Sequence, residues 1–472
     1  MKNPNSDIFS MYVSTITIAL FSVILNVLVS PGWVSAQDHA ARFDADRFVN
    51  AYENALTNNE FVMPYEPYIS IEERIAGLSL LWSEAKFNFA NFDLVDLNID
   101  SLYLAYIPKV MADQNTLEYT QLLQSFYAQF KDGHTGVAFP EELMNQVYAM
   151  PGVLVEKVEG KPVITNTVPG YTLPDGVSVG DEIIKVDGFP VNEFITTQIA
   201  PYVSASTPQD SVAKILKFDL LSGDANQKIS LSLKNKHGKI FSADFSRMEH
   251  HGMFQIGLPV AEYKLLENNI GYLALNTFND EAVVPFFESR FDKISNTDAL
   301  IIDVRQNSGG NTQTGMDILS QLTDERFMKS TTVIRKYDPA ARPWGNPLKI
   351  ETHTSEVPTH EDRHYGKPVV LLIGPSTYSA AEDFVVAFRQ ANRGVIMGEP
   401  TAGSTGQPYF FRIPGGGLAY VCTLREYFYD ETEFIGTGIL PDILINRSLN
   451  DLHNTIDTVL EAAIREVSEK MQ

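Results

Sequence analysis

Three stretches of this 472-residue chain carry residue types that could run acyl-transfer chemistry. The first is Lys367 to Gln407, where Ser379 stands between an apolar run, Val369 to Ile373, and a helical pattern, Ala380 to Gln390. A serine at a helix start lies beside unpaired backbone N–H groups and at the positive end of the helix dipole. A hydroxyl nucleophile needs those surroundings if an oxyanion is to develop next to it. The same position suits a plain capping serine, and this stretch alone leaves both readings open. The second is Asp132-Gly133-His134-Thr135-Gly136, a tight loop in which two glycines flank a histidine. In isolation such a histidine is ordinarily just solvated. The third is Arg305-Gln306-Asn307-Ser308-Gly309-Gly310-Asn311, a glycine-rich turn after the apolar run Ala299 to Val304. A buried parallel strand feeding such a turn presents backbone N–H groups at the carboxyl end of a sheet. Gly309 or Gly310 can therefore serve as a backbone donor. A phosphate cradle fits less well, because no lysine follows as a P-loop requires.

The surrounding elements read as follows. From Asp44 to Phe130 the pattern is helical; Asn115 and Glu118 form a capping box, and Tyr119, Leu122, Phe126 and Phe130 make the apolar stripe behind it. From Met150 to Arg247 short β-rich runs alternate with turns around one helix, Asp210 to Leu221. Within it Gly176-Val177-Ser178-Val179-Gly180 matches G-x-S-x-G, but a strand and turn follow where a nucleophile elbow needs a helix. Ser178 is read as a turn serine. From Ile256 the pattern is α/β: a strand at Ile270 to Leu275, a helix at Asp280 to Ile294, and the buried strands at Ala299 and Val369. Ser330 to Val357 reads as an irregular flap. Asp298 and Asp303 read as turn caps rather than a carboxylate dyad.

Composition narrows the function classes. A net charge of −23 offers no basic surplus for a phosphate backbone, so no nucleic-acid partner is expected. The single cysteine, Cys422, forms no intrachain disulfide and lacks zinc-ligand spacing. No HExxH occurs, and neither a metal nor a cofactor is expected. Residues 1–36 read as a cleaved signal peptide: Lys2, a largely apolar stretch from Met11 to Ser30, then Val34-Ser35-Ala36. The expectation is an exported protein, periplasmic or at the cell surface, with no stable membrane insertion after cleavage.

Taken together, DGHTGV at Asp132, GVSVGDEIIKVDGFPV at Gly176, IGYLALNTF at Ile270, ALIIDVRQNSGG at Ala299 and GPSTYSAAEDF…RGVIMGEPTAGSTGQP from Gly374 form a specific set. In that order they resemble the tail-specific, or C-terminal processing, serine peptidase family and its tricorn-core relatives. The resemblance implies an α/β peptidase core, a mixed sheet with crossover helices, over residues 255–472. It implies an N-terminal helical region over 37–148 and a PDZ-like β-rich domain over 149–248 that captures a peptide C-terminus by strand addition. It makes Ser379 the nucleophile and assigns the oxyanion hole to backbone N–H groups of Gly309 or Gly310 and of Ala380. Bacterial members pair the serine with a lysine; here that position holds Ser404, which cannot usefully accept a proton at neutral pH. The tricorn-like branch carries a histidine where this chain has His134. The implied chemistry is then a serine–histidine pair oriented by an acid, with Glu433 first and Asp430 and Glu431 as rivals. The implied activity is a serine endopeptidase acting on unfolded or C-terminally recognised polypeptides. The alternative is a non-catalytic carrier of apolar ligands or peptides on the same scaffold.

Overall fold

The sheet that positions Ser379 is built from the most apolar runs of the chain. In the computed structural model its six strands lie in the order Ile443–Leu444, Val395–Gly398, Val369–Ile373, Ala299–Asp303, Ile270–Leu275 and Ala261–Leu265. All neighbours are parallel except the last pair, which is antiparallel. The two central strands are buried at every position. Alternation sends Leu300, Ile302, Leu371 and Ile373 to one face, where they meet the helices Thr312–Leu319 and Ala380–Gln390. It sends Ala299, Ile301, Val370 and Leu372 to the other, against the closing helix Thr458–Lys470. Each such Leu or Ile contributes about 1.5–3 kcal/mol relative to exposure, which fixes the register and hence the loops at the carboxyl end.

The structure describes residues 44–47, 49–51, 64–249 and 258–471. The signal-peptide expectation for 1–36 falls outside them. Residues 60–472 form one compact unit; in the other, 1–59, residues 45–47 and 49–51 are helical.

Within the larger unit, helices Ile71–Asn88, Ile99–Met111 and Thr116–Ala128 share an apolar cluster with the strands Pro408–Arg412 and Leu418–Cys422. The Asn115–Glu118 capping box is present, as is a second one from Ser70 to Glu73. Between 153 and 246 a second sheet of strands Val153–Val158, Lys161–Thr167, Glu182–Val186, Lys228–Lys234 and Ile240–Ser246 is antiparallel throughout. Its helix runs Pro208–Lys214 and continues as a wider π turn, Ile215–Asp219. Two details differ from the sequence reading. The helix expected at 280–294 is two short ones, Val283–Glu288 and Phe291–Ser295. Ser330–Val357 is mostly a β-hairpin of Thr331–Tyr337 and Leu348–His353, not an irregular flap. Its alternating pattern was masked by the prolines of the connecting turn.

Candidate active site

Ser379 closes the turn between the buried strand Val369–Ile373 and the helix Ala380–Gln390. Its backbone is at φ 56°, ψ −129°, a region that side chains other than glycine rarely enter and that costs on the order of 1–3 kcal/mol. The surroundings hold it there. Thr377 Oγ1 accepts from the Gly374 amide at 3.0 Å and donates to the Val304 carbonyl at 2.9 Å. The Tyr378 amide donates to Asn307, and the Ser379 amide to Ser404, each at 3.1 Å. The serine makes no side-chain cap bond to its helix, which leaves the hydroxyl free for other contacts.

That contact is His134. Its Nε2 lies 2.9 Å from Ser379 Oγ across a sequence separation of 245 residues. The loop is fixed by Asp132, whose Oδ1 accepts the His134 amide at 2.9 Å and Thr135 Oγ1 at 3.1 Å. Asn91 Nδ2 donates to the other carboxylate oxygen at 2.9 Å. The ring stacks on Tyr378 with centroids 4.6 Å apart and planes 6° apart. Gly133 permits this packing, because a Cβ there would stand 2.7 Å from Ser404 Oγ and 2.9 Å from Tyr378 Oη.

Among the described residues, the second ring nitrogen meets no carboxylate. Nδ1 lies 2.9 Å from Ser404 Oγ and 3.1 Å from Tyr378 Oη. Glu433, expected to orient the imidazole, instead pairs with Arg425 at 2.7 Å and is largely exposed. Its rivals are also turned elsewhere: Asp430 accepts the Thr432 amide at 3.0 Å, and Glu431 sits in a turn at φ 70°. The chain folds back here, with Tyr427 bridging to Glu433, and this reversal places Glu433 beside Arg425.

Burial, and behind it the positive charge of Lys214, push the His134 pKa down to about 3. Lys214 reaches this place from the helix that accompanies the antiparallel sheet. Its Nζ donates to the Ser204 carbonyl at 3.0 Å, pairs with Asp210 at 3.3 Å and lies 4.7 Å from the Tyr378 ring. The same helix start ties the site loops together. Ser206 Oγ accepts the Gly133 amide at 2.9 Å, Thr207 Oγ1 donates to the Ala402 carbonyl at 2.8 Å, and Gln209 Nε2 donates to the Thr437 carbonyl at 2.8 Å.

Of the three backbone donors expected around Ser379, one is already committed. The Gly309 amide donates to Asn307 Oδ1 at 2.9 Å. Ala380 opens its helix, so no intrahelical carbonyl is in reach of its amide. Gly309 packs against it: a Cβ there would come within 2.9 Å of Ala380 N. Gly310, at φ 133°, lies against the 278–279 backbone, where a Cβ would fall 2.2 Å from Asn279 N. Gly310→Ala is therefore expected to destabilise the fold by about 3 kcal/mol or more, read from denaturant midpoints. Asp303 caps its turn as read, its Oδ1 accepting the Arg305 amide at 2.9 Å, and it is also buried in an ion pair with the Arg305 side chain, which binds Asp457 as well. That pair anchors the turn carrying the two glycines.

Sequence reasoning passed over Tyr378, Lys214 and the role of Glu382. The Glu382 carboxylate is fully buried and accepts Thr401 Oγ1, the Gly403 amide at 2.8 Å and the Ser404 amide at 2.9 Å. Burial pushes it up to about 7. Its i+3 spacing from Ser379 was the available signal.

Beside the pair lies a cavity of about 220 Å³, with Gly133, Ser308 and Tyr378 on one side and Val203, Phe218 and Tyr420 among its apolar walls. Among the described residues no group of three or more acidic, histidine or cysteine side chains could hold a metal ion.

Residues 269–445 match the profile of "Peptidase family S41". The carboxy-terminal-processing protease of Bartonella bacilliformis is 25% identical over 293 residues, 60% of this chain and 58% of that protein. The chain thus spans under two thirds of that relative's length. Mature CPAF, solved in complex with lactacystin, superposes with a TM-score of 0.65 at 16% identity, covering 85% of this chain and 98% of that one. The photosystem II D1 C-terminal processing protease superposes at 0.51 and 18% identity, covering 83% and 96%. These superpositions establish a common fold. Over residues 269–445 the chain is similar to peptidase family S41, and it shares sequence with the carboxy-terminal-processing proteases.

Proposed function

We propose that this protein is a serine endopeptidase that cleaves polypeptides through an acyl-enzyme, with Ser379 as nucleophile and His134 as general base. The 2.9 Å contact between His134 Nε2 and Ser379 Oγ carries the reading. With a proton on Nδ1, donated to Ser404 Oγ and Tyr378 Oη, Nε2 is the acceptor that takes the serine proton on attack. The tetrahedral oxyanion then faces the amides of Ala380 and Gly310. His134 returns its proton to the leaving amine. Two neutral oxygens stand where a carboxylate would steady the imidazolium, so the positive intermediate gains less here than in an acid-backed triad.

Residues 149–248 fit a PDZ-like domain, and the described residues 64–148 fit the helical N-terminal region expected over 37–148. The PDZ-like domain would present a substrate's C-terminus by strand addition, and its helix start is bound to the loops of His134 and Ser404. The cavity beside Tyr378 suits an apolar substrate side chain. Export follows if residues 1–36 are a signal peptide; among the described residues no helix is long and apolar enough to cross a membrane.

A carrier without catalysis is the second reading, and the absence of a carboxylate at His134 Nδ1 favours it. Labelling with a fluorophosphonate decides between them. Covalent label on Ser379, lost in Ser379→Ala, supports the peptidase; an unlabelled wild type that cleaves no unfolded protein overturns it.

The electrostatics give a second test. A histidine held down to about 3 stays neutral where an ordinary one, near 6.5, would protonate. The folded state binds the proton less tightly than the unfolded chain. Its stabilisation of the neutral ring is therefore complete above pH 6.5 and is lost as pH falls toward 3. In NMR of histidine-labelled protein, the His134 resonance, assigned with His134→Gln, should not titrate between pH 8 and 5. A midpoint near 6.5 would contradict the closed, desolvated site.

A further inference from the structure

The strand Leu348–His353 is the outer edge of a three-stranded sheet that continues through Thr331–Tyr337 to Leu424–Tyr427. Its backbone polarity follows from the register. The Asp338 amide donates to the Pro347 carbonyl, which makes 338 and 347 a hydrogen-bonded pair of the antiparallel ladder. Alternation then turns the N–H and C=O groups of Lys349, Glu351 and His353 inward. Those of Leu348, Ile350 and Thr352 point out to the open edge. Leu348 is 51% and Ile350 72% exposed. With Tyr337 they leave an apolar stripe on one face of an edge unpaired among the described residues, the arrangement that invites another strand.

We infer that this edge pairs with the same edge of a second copy of the chain, antiparallel, about a two-fold axis at Ile350. The charge pattern selects the partner and the register. On the opposite face from Ile350, Lys349 and Glu351 flank the axis. Pairing Ile350 with Ile350 of the second copy sets Lys349 against Glu351 of that copy, twice. A lysine on an edge ordinarily discourages self-pairing; here symmetry gives it an opposite charge. Within the hairpin, Lys336 already meets Glu351 at 2.7 Å and Lys349 meets Asp338 at 3.1 Å. Across the axis these pairs join into one alternating ladder. The outward groups of Leu348, Ile350 and Thr352 supply the hydrogen bonds, Leu348 facing Thr352 of the second copy. The two three-stranded sheets become one of six strands, and the interface is isologous, as a closed dimer requires. This inference does not depend on the catalytic reading.

Charge swapping tests it. Wild type should sediment as a dimer at micromolar concentration. Lys349→Glu places Glu against Glu, and Glu351→Lys places Lys against Lys; each should weaken dimerisation at least tenfold. Mixing the two variants restores Glu–Lys pairing at both places and should return the dimer as a heterodimer. Ile350→Cys gives a measurement independent of affinity. The paired Cα atoms would be about 5.5 Å apart, within disulfide range. The chain's other cysteine, Cys422, is buried, so mild oxidation should yield a single covalent dimer. A wild type that stays monomeric at about 100 µM overturns the inference. So does a dimer that survives both single swaps, or an Ile350→Cys protein that does not cross-link.

Discussion

Ser379→Ala and His134→Ala are each expected to lower hydrolysis of an unfolded protein by on the order of 10³- to 10⁴-fold, with no additive loss in the double variant. In the proposed mechanism the two side chains act as one unit across their 2.9 Å contact, so removing either removes the proton transfer. Neither change should unfold the protein. Ser379→Ala keeps the helix, which the serine side chain does not cap. Glu433→Gln is the contrasting control. Its carboxylate is occupied with Arg425 at the surface, so kcat/KM should change by less than about threefold. Single-turnover kinetics on the four variants would read these differences directly. A hundredfold loss in Glu433→Gln, with full activity in His134→Ala, would overturn the assignment of the base.

The second large effect is expected at a residue that touches neither Ser379 Oγ nor the imidazole. Glu382→Ala removes the acceptor for Thr401 Oγ1 and for the amides of Gly403 and Ser404. Each buried donor left without a partner costs about 1–3 kcal/mol, so a total near 3–5 kcal/mol is expected in chemical denaturation. The loop also supplies the Ser404 carbonyl that holds the Ser379 amide and the Ser404 hydroxyl beside His134. Activity should therefore fall about 100-fold even where the protein remains folded. Glu382→Gln should recover part of the stability and little of the activity, because its NH₂ end faces a backbone donor. If Glu382→Gln matched wild type in both measurements, the loop would not depend on this carboxylate. Glu382 is a positioning residue, and a shifted His134 resonance in Glu382→Gln is the signature that mere destabilisation would not give.

Much of the core was legible from the residues because it rests on local periodicity. The runs at 299–303 and 369–373 are apolar at every position, and only a strand buried on both faces uses such a run. The helix Ala380–Gln390 follows Ser379 as read and carries its apolar positions at helical spacing. The hairpin at 331–353 was missed because its turn, with Pro339, Pro343 and Pro347, outweighed a short alternating pattern on an exposed arm.

The chain alone determined which residue types were available and where local geometry would present them. It placed Ser379 at a helix start, gave His134 two flanking glycines and set Gly309 and Gly310 after a buried strand. The tertiary structure decided what meets what. His134 reaches Ser379 and Ser404 across separations of 245 and 270 residues, and no periodicity encodes such a contact. It also decided what does not meet: Glu433 turns to Arg425 because the chain reverses at 428–433. The strain at Ser379 and the depressed pKa of His134 belong to the same level. Both exist because packed neighbours from distant segments exclude water and fix the backbone, and that exclusion is a property of the assembled site.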